Sequence, residues 1–341
     1  MERYIAIDNV CAWPNLTAMP DGAIVATIFN QPCHGQWEGD VECWASEDAG
    51  RTWRRRGTPA PHEPGTARMN VAAGLAHDGA LVVLASGWSH RPPKGQSAGH
   101  GAPARRLPPW VCRSADGGRT WAVDKAPESV SLPAGMDRDD GDSLLFKPFG
   151  DIVRRPGGRL AAGLYHDGGT VWILFSNDDG RTWGDPAVIS DQHRGETALL
   201  RLPSGRWLAA ARTEGEVGGF IPDVGLGLFI SEDEGRHWRD TGNLTGPSQH
   251  PGHLCALPDG RVLLTFGMRD RAAIGVRFSA DEGLTWGPPR ILVSLEPSDL
   301  GYPATVIAAD GSLVTAWYSS GIAAHTRYHM GAAIWKSAEV I

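Results

Sequence analysis

Short apolar stretches recur along the whole chain, each ended by a tight polar turn. Six of these turns carry Gly beside Pro, Asp, Ser or Gly: Pro20-Asp-Gly22, His77-Asp-Gly79, Pro156-Gly-Gly158, Pro203-Ser-Gly205, Pro258-Asp-Gly260 and Ala309-Asp-Gly311. Apolar residues flank each one, which is the signature of a hairpin between two buried strands. A second pattern alternates with the first. The octet Ser-x-Asp-x-Gly-x-Thr-Trp begins at Ser46, Ser114, Ser176, Ser231 and Ser279, with His237 replacing Thr in the fourth copy. Five copies make an internal repeat. Apolar runs such as 170–175 and 225–230 precede the copies, so the octet also predicts a turn between strands. Ser and Asp side chains hold such a turn by bonding nearby N–H groups, Gly supplies a left-handed residue, and Trp offers a large apolar wedge. One hairpin of each kind per unit predicts six antiparallel units of four strands, all-β.

The octet is the Asp box, and the chain resembles the sialidase (neuraminidase) superfamily, Asp-box or BNR-repeat β-propellers. The resemblance spans most of the chain and implies one six-bladed β-propeller over residues 1–341. In that family the box lies on the outer rim, away from the catalytic centre. It lacks the alternating ligands of a calcium loop. The sixth unit has no box and is one strand short, ending in apolar stretches at 305–308, 313–318 and 328–335. Residues 3–7 are expected to supply the missing strand and close the ring, which removes sheet edges.

A propeller funnel is lined by residues just before each innermost strand and just after each second strand. The first set contains Trp13, Asn15, Arg68, Asn70, Asp151, His193, Glu196, His250, His253, Asp299 and Tyr302. The second contains the loop from Asn30 to Glu42 with His34, Glu38 and Asp40, then Tyr165, His166 and Asp167, Arg212 and Glu214, Arg269 and Arg271, and Tyr318. Convergent polar groups in a cleft mark a candidate site. Two insertions, 89–109 and 122–150, are expected as a rim or lid; the second carries the acidic stretch 137–142.

The resemblance assigns roles. A Glu opening a central blade and an Arg ending its second strand match Glu196 and Arg212; a Tyr opening the last blade matches Tyr302. A sialoside carries its carboxylate on the anomeric carbon and repels a carboxylate nucleophile, so the resemblance implies that a neutral Tyr302 attacks and Glu196 takes its proton. Arg212 and Arg269 would hold the substrate carboxylate. The family's arginine entering the first blade is absent, because Ala12-Trp13 precedes Pro14. Arg68 is the expected substitute. His34 or Asp40 would be the proton donor, with His193, His250 and Asp151 as further substrate contacts.

The function expected is therefore exo-hydrolysis of a terminal anionic sugar on a glycan. Alternatives are a uronate-acting lyase or rhamnosidase-type enzyme using the histidines, and a non-catalytic glycan-binding propeller. Net charge is −7 with no basic stripe, which argues against a nucleic-acid partner. No apolar run is long enough to span a membrane, so no membrane partner is expected. Neither a metal nor another cofactor is expected; the five cysteines are not in metal-type pairs and are read as buried thiols. The start, Met1-Glu-Arg-Tyr-Ile, has no apolar signal core, and a cytoplasmic location is expected. Oligomeric state is left open.

Overall fold

A computed structural model describes residues 1–89, 105–131, 146–166, 169–213 and 223–340. The fold is all-β, with a β-propeller arrangement of antiparallel sheets. Four sheets are separate and four-stranded. The first is built from β2 (Ala12–Ala18), β3 (Ile24–Phe29), β4 (Val41–Ser46) and β5 (Arg54–Ala60). The others comprise β14 (Arg194–Arg201) to β17 (Arg239–Asn243), β18 (Gln249–Ala256) to β21 (Arg290–Ser294), and β22 (Leu300–Ile307), β23 (Leu313–Ser319) and β24 (His329–Trp335) with β1 (Glu2–Asp8). The N-terminal strand thus pairs with β24, from Glu2↔Ile334 to Asp8↔His329.

The expectation of six separate sheets is corrected. β6 (Thr66–Leu75) to β9 (Ala122–Asp124) and β10 (Lys147–Arg155) to β13 (Gly184–Ser190) form one eight-stranded sheet. The joint is a short parallel pairing, Gly150↔Ala72 and Asp151↔Ala73, between the two inner strands. Small residues cause it. At Gly74 an added Cβ would meet the Ile152 backbone, so only glycine lets the strands come this close.

The repeated octet ties neighbouring sheets together. In the copy from Ser46, the Ser46 hydroxyl accepts the Gly50 N–H at 2.8 Å and donates to Asp48 at 2.7 Å. Asp48 accepts the N–H groups of Arg51 and Thr52 and the Thr52 hydroxyl. Trp53 donates its indole N–H to the Gly50 carbonyl at 3.2 Å. Gly50 has φ +89°, and a Cβ there would come within 2.8 Å of Val314 on β23. The first sheet's turn therefore seats against the last sheet. In the fourth copy the His237 ring takes the place of the missing Thr, with Nδ1 2.6 Å from Asp233. Single alternation of buried and exposed faces is absent from the inner strands. β3, β12 (Val171–Ser176), β16 (Leu226–Ser231) and β19 (Val262–Met268) are buried along their length, because sheets cover both faces; outermost β17 is exposed throughout.

Each innermost strand breaks register near its start: between Ala12 and Asn15, Arg68 and Asn70, Phe149 and Val153, Arg194 and Thr197, Gln249 and Gly252, and Gly301 and Ala304. Such bulges bend the strand and re-aim side chains. The two insertions expected as a lid fall largely on 90–104 and 132–145, outside the described residues, as do Asp167, Glu214 and the acidic stretch 137–142.

The turn carboxylates give the fold an acid-sensitive contribution. The Thr285 hydroxyl and N–H, and the Ser279 hydroxyl, hold Asp281 down at about 2, below its ordinary 3.8. A depressed folded value stabilises above the unfolded value and is lost as pH falls. The melting-temperature gap between wild type and Asp281→Asn is expected to be open at neutral pH and to narrow below about pH 4. A gap constant down to pH 3 contradicts this origin.

Candidate active site

The bulged strand starts surround a cavity of about 320 Å³ whose wall includes Trp13, His34, Lys147, Glu196, His253 and Tyr302. Tyr302 occupies the bulge of β22 with φ +50°, and Trp13 that of β2 with φ +44°. A bulky residue with left-handed φ is strained, by roughly 1–3 kcal/mol, and such strain clusters at functional sites.

Glu196 is the centre of the cluster. Its side chain is 8% exposed and pairs with Arg212, Nη1 to Oε2 at 2.6 Å. The Tyr302 hydroxyl donates to the other carboxylate oxygen in a short hydrogen bond. Tyr165 reaches the same oxygen at 3.4 Å, and Arg212 Nη1 also lies 3.3 Å from the Tyr302 oxygen. Burial alone would raise the Glu196 carboxyl; the Arg212 charge and the bonds from Tyr302 and Arg212 more than offset this, so it is held below its ordinary value. Burial, and then the Glu196 charge, push the Tyr302 phenol well up. The resting pair is a phenol donating to a carboxylate, and the carboxylate is placed to accept the phenol's proton.

A second cluster adjoins the first. Asp299, just before β22, accepts the Tyr318 hydroxyl at 2.6 Å and the Tyr328 hydroxyl at 2.8 Å, and lies 3.0 Å from His34 Nδ1. Arg269 donates to Tyr318 at 3.3 Å, and its guanidinium is 5.8 Å from the Tyr302 ring centre. Trp13 stands between the clusters, 4.8 Å from the His34 ring, 6.2 Å from Tyr302 and 6.1 Å from Tyr318 between centroids. Across the cavity, Lys147 Nζ sits 4.3 Å over the Tyr165 ring. His253 accepts the Thr305 N–H at Nδ1, which assigns its proton to Nε2, 3.0 Å from Asp151. Asp151 also accepts from Asn15 at 3.1 Å. The buried atoms Trp13 Nε1, Asn15 Oδ1 and Asn70 Oδ1 have no protein partner among the described residues. All three residues line the cavity.

Several expected residues lie elsewhere. Arg68 does not replace the missing arginine. Strand alternation turns it between strands, where it is 1% exposed, stacks 3.6 Å over the Trp110 ring and donates to the Pro108 carbonyl. Burial brings its pKa down to about 10. Asp40 is held away by His62, Nδ1 at 2.6 Å, and by Asn30. Glu42 is taken by Trp44 and Arg55. His193 and His250 do not line the cavity. His250 is buried against Asp223, and burial followed by the Arg212 charge pushes it down to about 4, leaving it neutral. Lys147 and Tyr328 were not among the expected positions: β10 starts four residues before Asp151, and Tyr328 precedes a third strand rather than a first. Among the described residues, no three His, Cys, Asp or Glu side chains converge as a metal would need.

The model of the BNR repeat-like domain family matches residues 6–249 and 61–315. The chain belongs to this family, within the sialidase/BNR superfamily. A sialidase of Micromonospora viridifaciens is 29% identical over 213 residues, covering 52% of this chain but only 31% of that protein. A solved structure of a Dyadobacter fermentans protein of unknown function superposes with TM-score 0.78 at 21% identity, covering 98% of this chain and 97% of that one. A Hadza microbial sialidase superposes with TM-score 0.68 at 19% identity, covering 97% of this chain and 66% of that one. The two structural likenesses concern the fold.

The Arg212 charge is what keeps buried Glu196 ionised. In Arg212→Met, the Glu196 carboxyl is expected to titrate above the ordinary glutamate range, read by carbon NMR of the labelled side chain. An unchanged titration contradicts this account.

Proposed function

We propose that the protein is a sialidase-like exo-glycoside hydrolase that removes a terminal sugar acid from a glycan. The observation that carries the reading is the buried Tyr302–Glu196–Arg212 cluster, with a phenol donating to a carboxylate that a guanidinium keeps ionised. Tyr302 attacks the anomeric carbon while Glu196 takes the phenolic proton. A phenol fits a substrate whose anomeric carbon bears a carboxylate, since it approaches uncharged. Arg212 and Arg269 flank Tyr302 and supply positive charge for that carboxylate. With Trp13 in place of an arginine, the clamp has two guanidinium groups and an aromatic wall. In this reading the eight-stranded sheet is two blades joined edge to edge, giving six around the cavity. The octets are Asp boxes, distant from the chemistry.

A lyase reading draws less support. It needs a free histidine base near the sugar. His253 is engaged by Asp151 and Thr305, and His193 and His250 lie off the cavity wall. His34 lines the cavity and could serve as a base, but a lyase leaves the buried Tyr302–Glu196 pair without a role.

Purified protein is expected to release a water-added sugar acid from aryl glycosides of N-acetylneuraminic acid. Glu196→Gln lowers kcat by roughly 10²–10⁴-fold, and Tyr302→Phe by a comparable factor. Full activity in Tyr302→Phe, or an unsaturated product formed without water, overturns the reading.

A further inference from the structure

The hydrolysis proposed above also needs a proton for the leaving oxygen, and the acidic residues of the 30–42 loop are engaged elsewhere. Asp40 is bonded to His62 and Asn30, Glu38 lies 3.4 Å from the other His62 ring nitrogen, and Glu42 is bonded to Trp44 and Arg55. His34 remains. It lines the same cavity as Tyr302, with about half its side chain exposed. Nδ1 faces Asp299 at 3.0 Å, so the opposite nitrogen, Nε2, is the one available for chemistry.

We propose that His34 is the general acid and base of this site and that Asp299 is its positioning residue. Asp299 fixes the ring orientation and tautomer, as a carboxylate does for a catalytic imidazole. The Asp299 carboxylate is itself fixed by Tyr318 on β23 and by Tyr328. Burial works to raise it, and the bonds from His34, Tyr318 and Tyr328 bring it down to about 2, so it stays an acceptor. The Trp13 indole meets the imidazole edge-on, and Arg269 lies behind Tyr318.

As the bond from the anomeric carbon to the aglycone oxygen breaks, its electron pair takes the Nε2 proton of the His34 imidazolium, leaving the neutral ring with its Nδ1 proton toward Asp299. Tyr302 bonds to the anomeric carbon and gives its proton to Glu196. Water then attacks that carbon and passes a proton to Nε2, while Tyr302 leaves and recovers its proton from Glu196. The inference rests on the hydrolase reading, but it names a donor that the cluster around Glu196 does not contain.

Leaving groups test it. A 4-methylumbelliferyl glycoside of N-acetylneuraminic acid departs with little protonation, whereas the methyl glycoside requires it. His34→Gln is expected to lower kcat/KM on the methyl glycoside by roughly 10²–10⁴-fold and on the aryl glycoside by less than about tenfold. Asp299→Asn is expected to show the same selective loss, smaller in size, with KM nearly constant. Equal losses on both glycosides, or no loss in His34→Gln, overturn the assignment while leaving the hydrolase standing. Wild-type protein inert on both overturns the hydrolase reading and this inference with it.

Discussion

The register break at the start of every innermost strand is the constraint on which the site depends. A regular strand would send alternate side chains onto the packed faces of the sheet, as happens to Arg68, which lies over Trp110 of its own sheet. The bulge inserts a turn of backbone at the end of the strand that borders the cavity. Trp13 and Tyr302 both sit in such bulges with left-handed φ. That conformation is unfavourable for aromatic residues and persists only where surrounding packing over-determines it. Here the packing is extensive. Trp13 and Tyr302 contact one cluster that joins β1, β2, β3 and β22 to β24, the seam where the two ends of the chain meet. Ring closure and placement of the phenol therefore share one set of contacts.

Electrostatics sets the second condition. A carboxylate as buried as Glu196 is stable only if charge and hydrogen bonds replace its water. Arg212 supplies the charge, and Tyr302 and Tyr165 supply hydroxyls. The same partners leave the carboxylate ionised beside a phenol that holds its proton. The arrangement that permits burial is thus the arrangement that prepares a proton transfer. Asp299 follows the same rule, with two phenols and an imidazole around a half-buried carboxylate.

Much of this was legible in the sequence because it repeats. Five octets and six glycine hairpins locate the strands, and the pairing of residues 3–7 with the last sheet follows from counting them. Glu196, Arg212 and Tyr302 were singled out by position together with the family resemblance, and the three side chains do meet. The failures have a common cause: each depends on a contact between distant segments. Asp40 looks available until His62, more than twenty residues on, takes it. Arg68 looks like a funnel residue until Trp110 and the Pro108 carbonyl, from a later strand, take it. The joining of two sheets depends on small residues in β6 letting β10 approach, and nothing in either strand alone announces it. Lys147 is not visible as a site residue in the sequence because Gly150 reads as the end of a loop, whereas the strand begins at Lys147.

The most direct test of the central claim is to trap the covalent intermediate. A fluorine-substituted sialic acid carrying fluoride as leaving group would be incubated with the protein, which would then be digested and its peptides mapped by mass spectrometry. The account predicts the sugar acid attached to Tyr302. Attachment to Glu196 or another carboxylate, or inhibition-free turnover with no adduct under conditions where the aryl glycoside is cleaved, would contradict it.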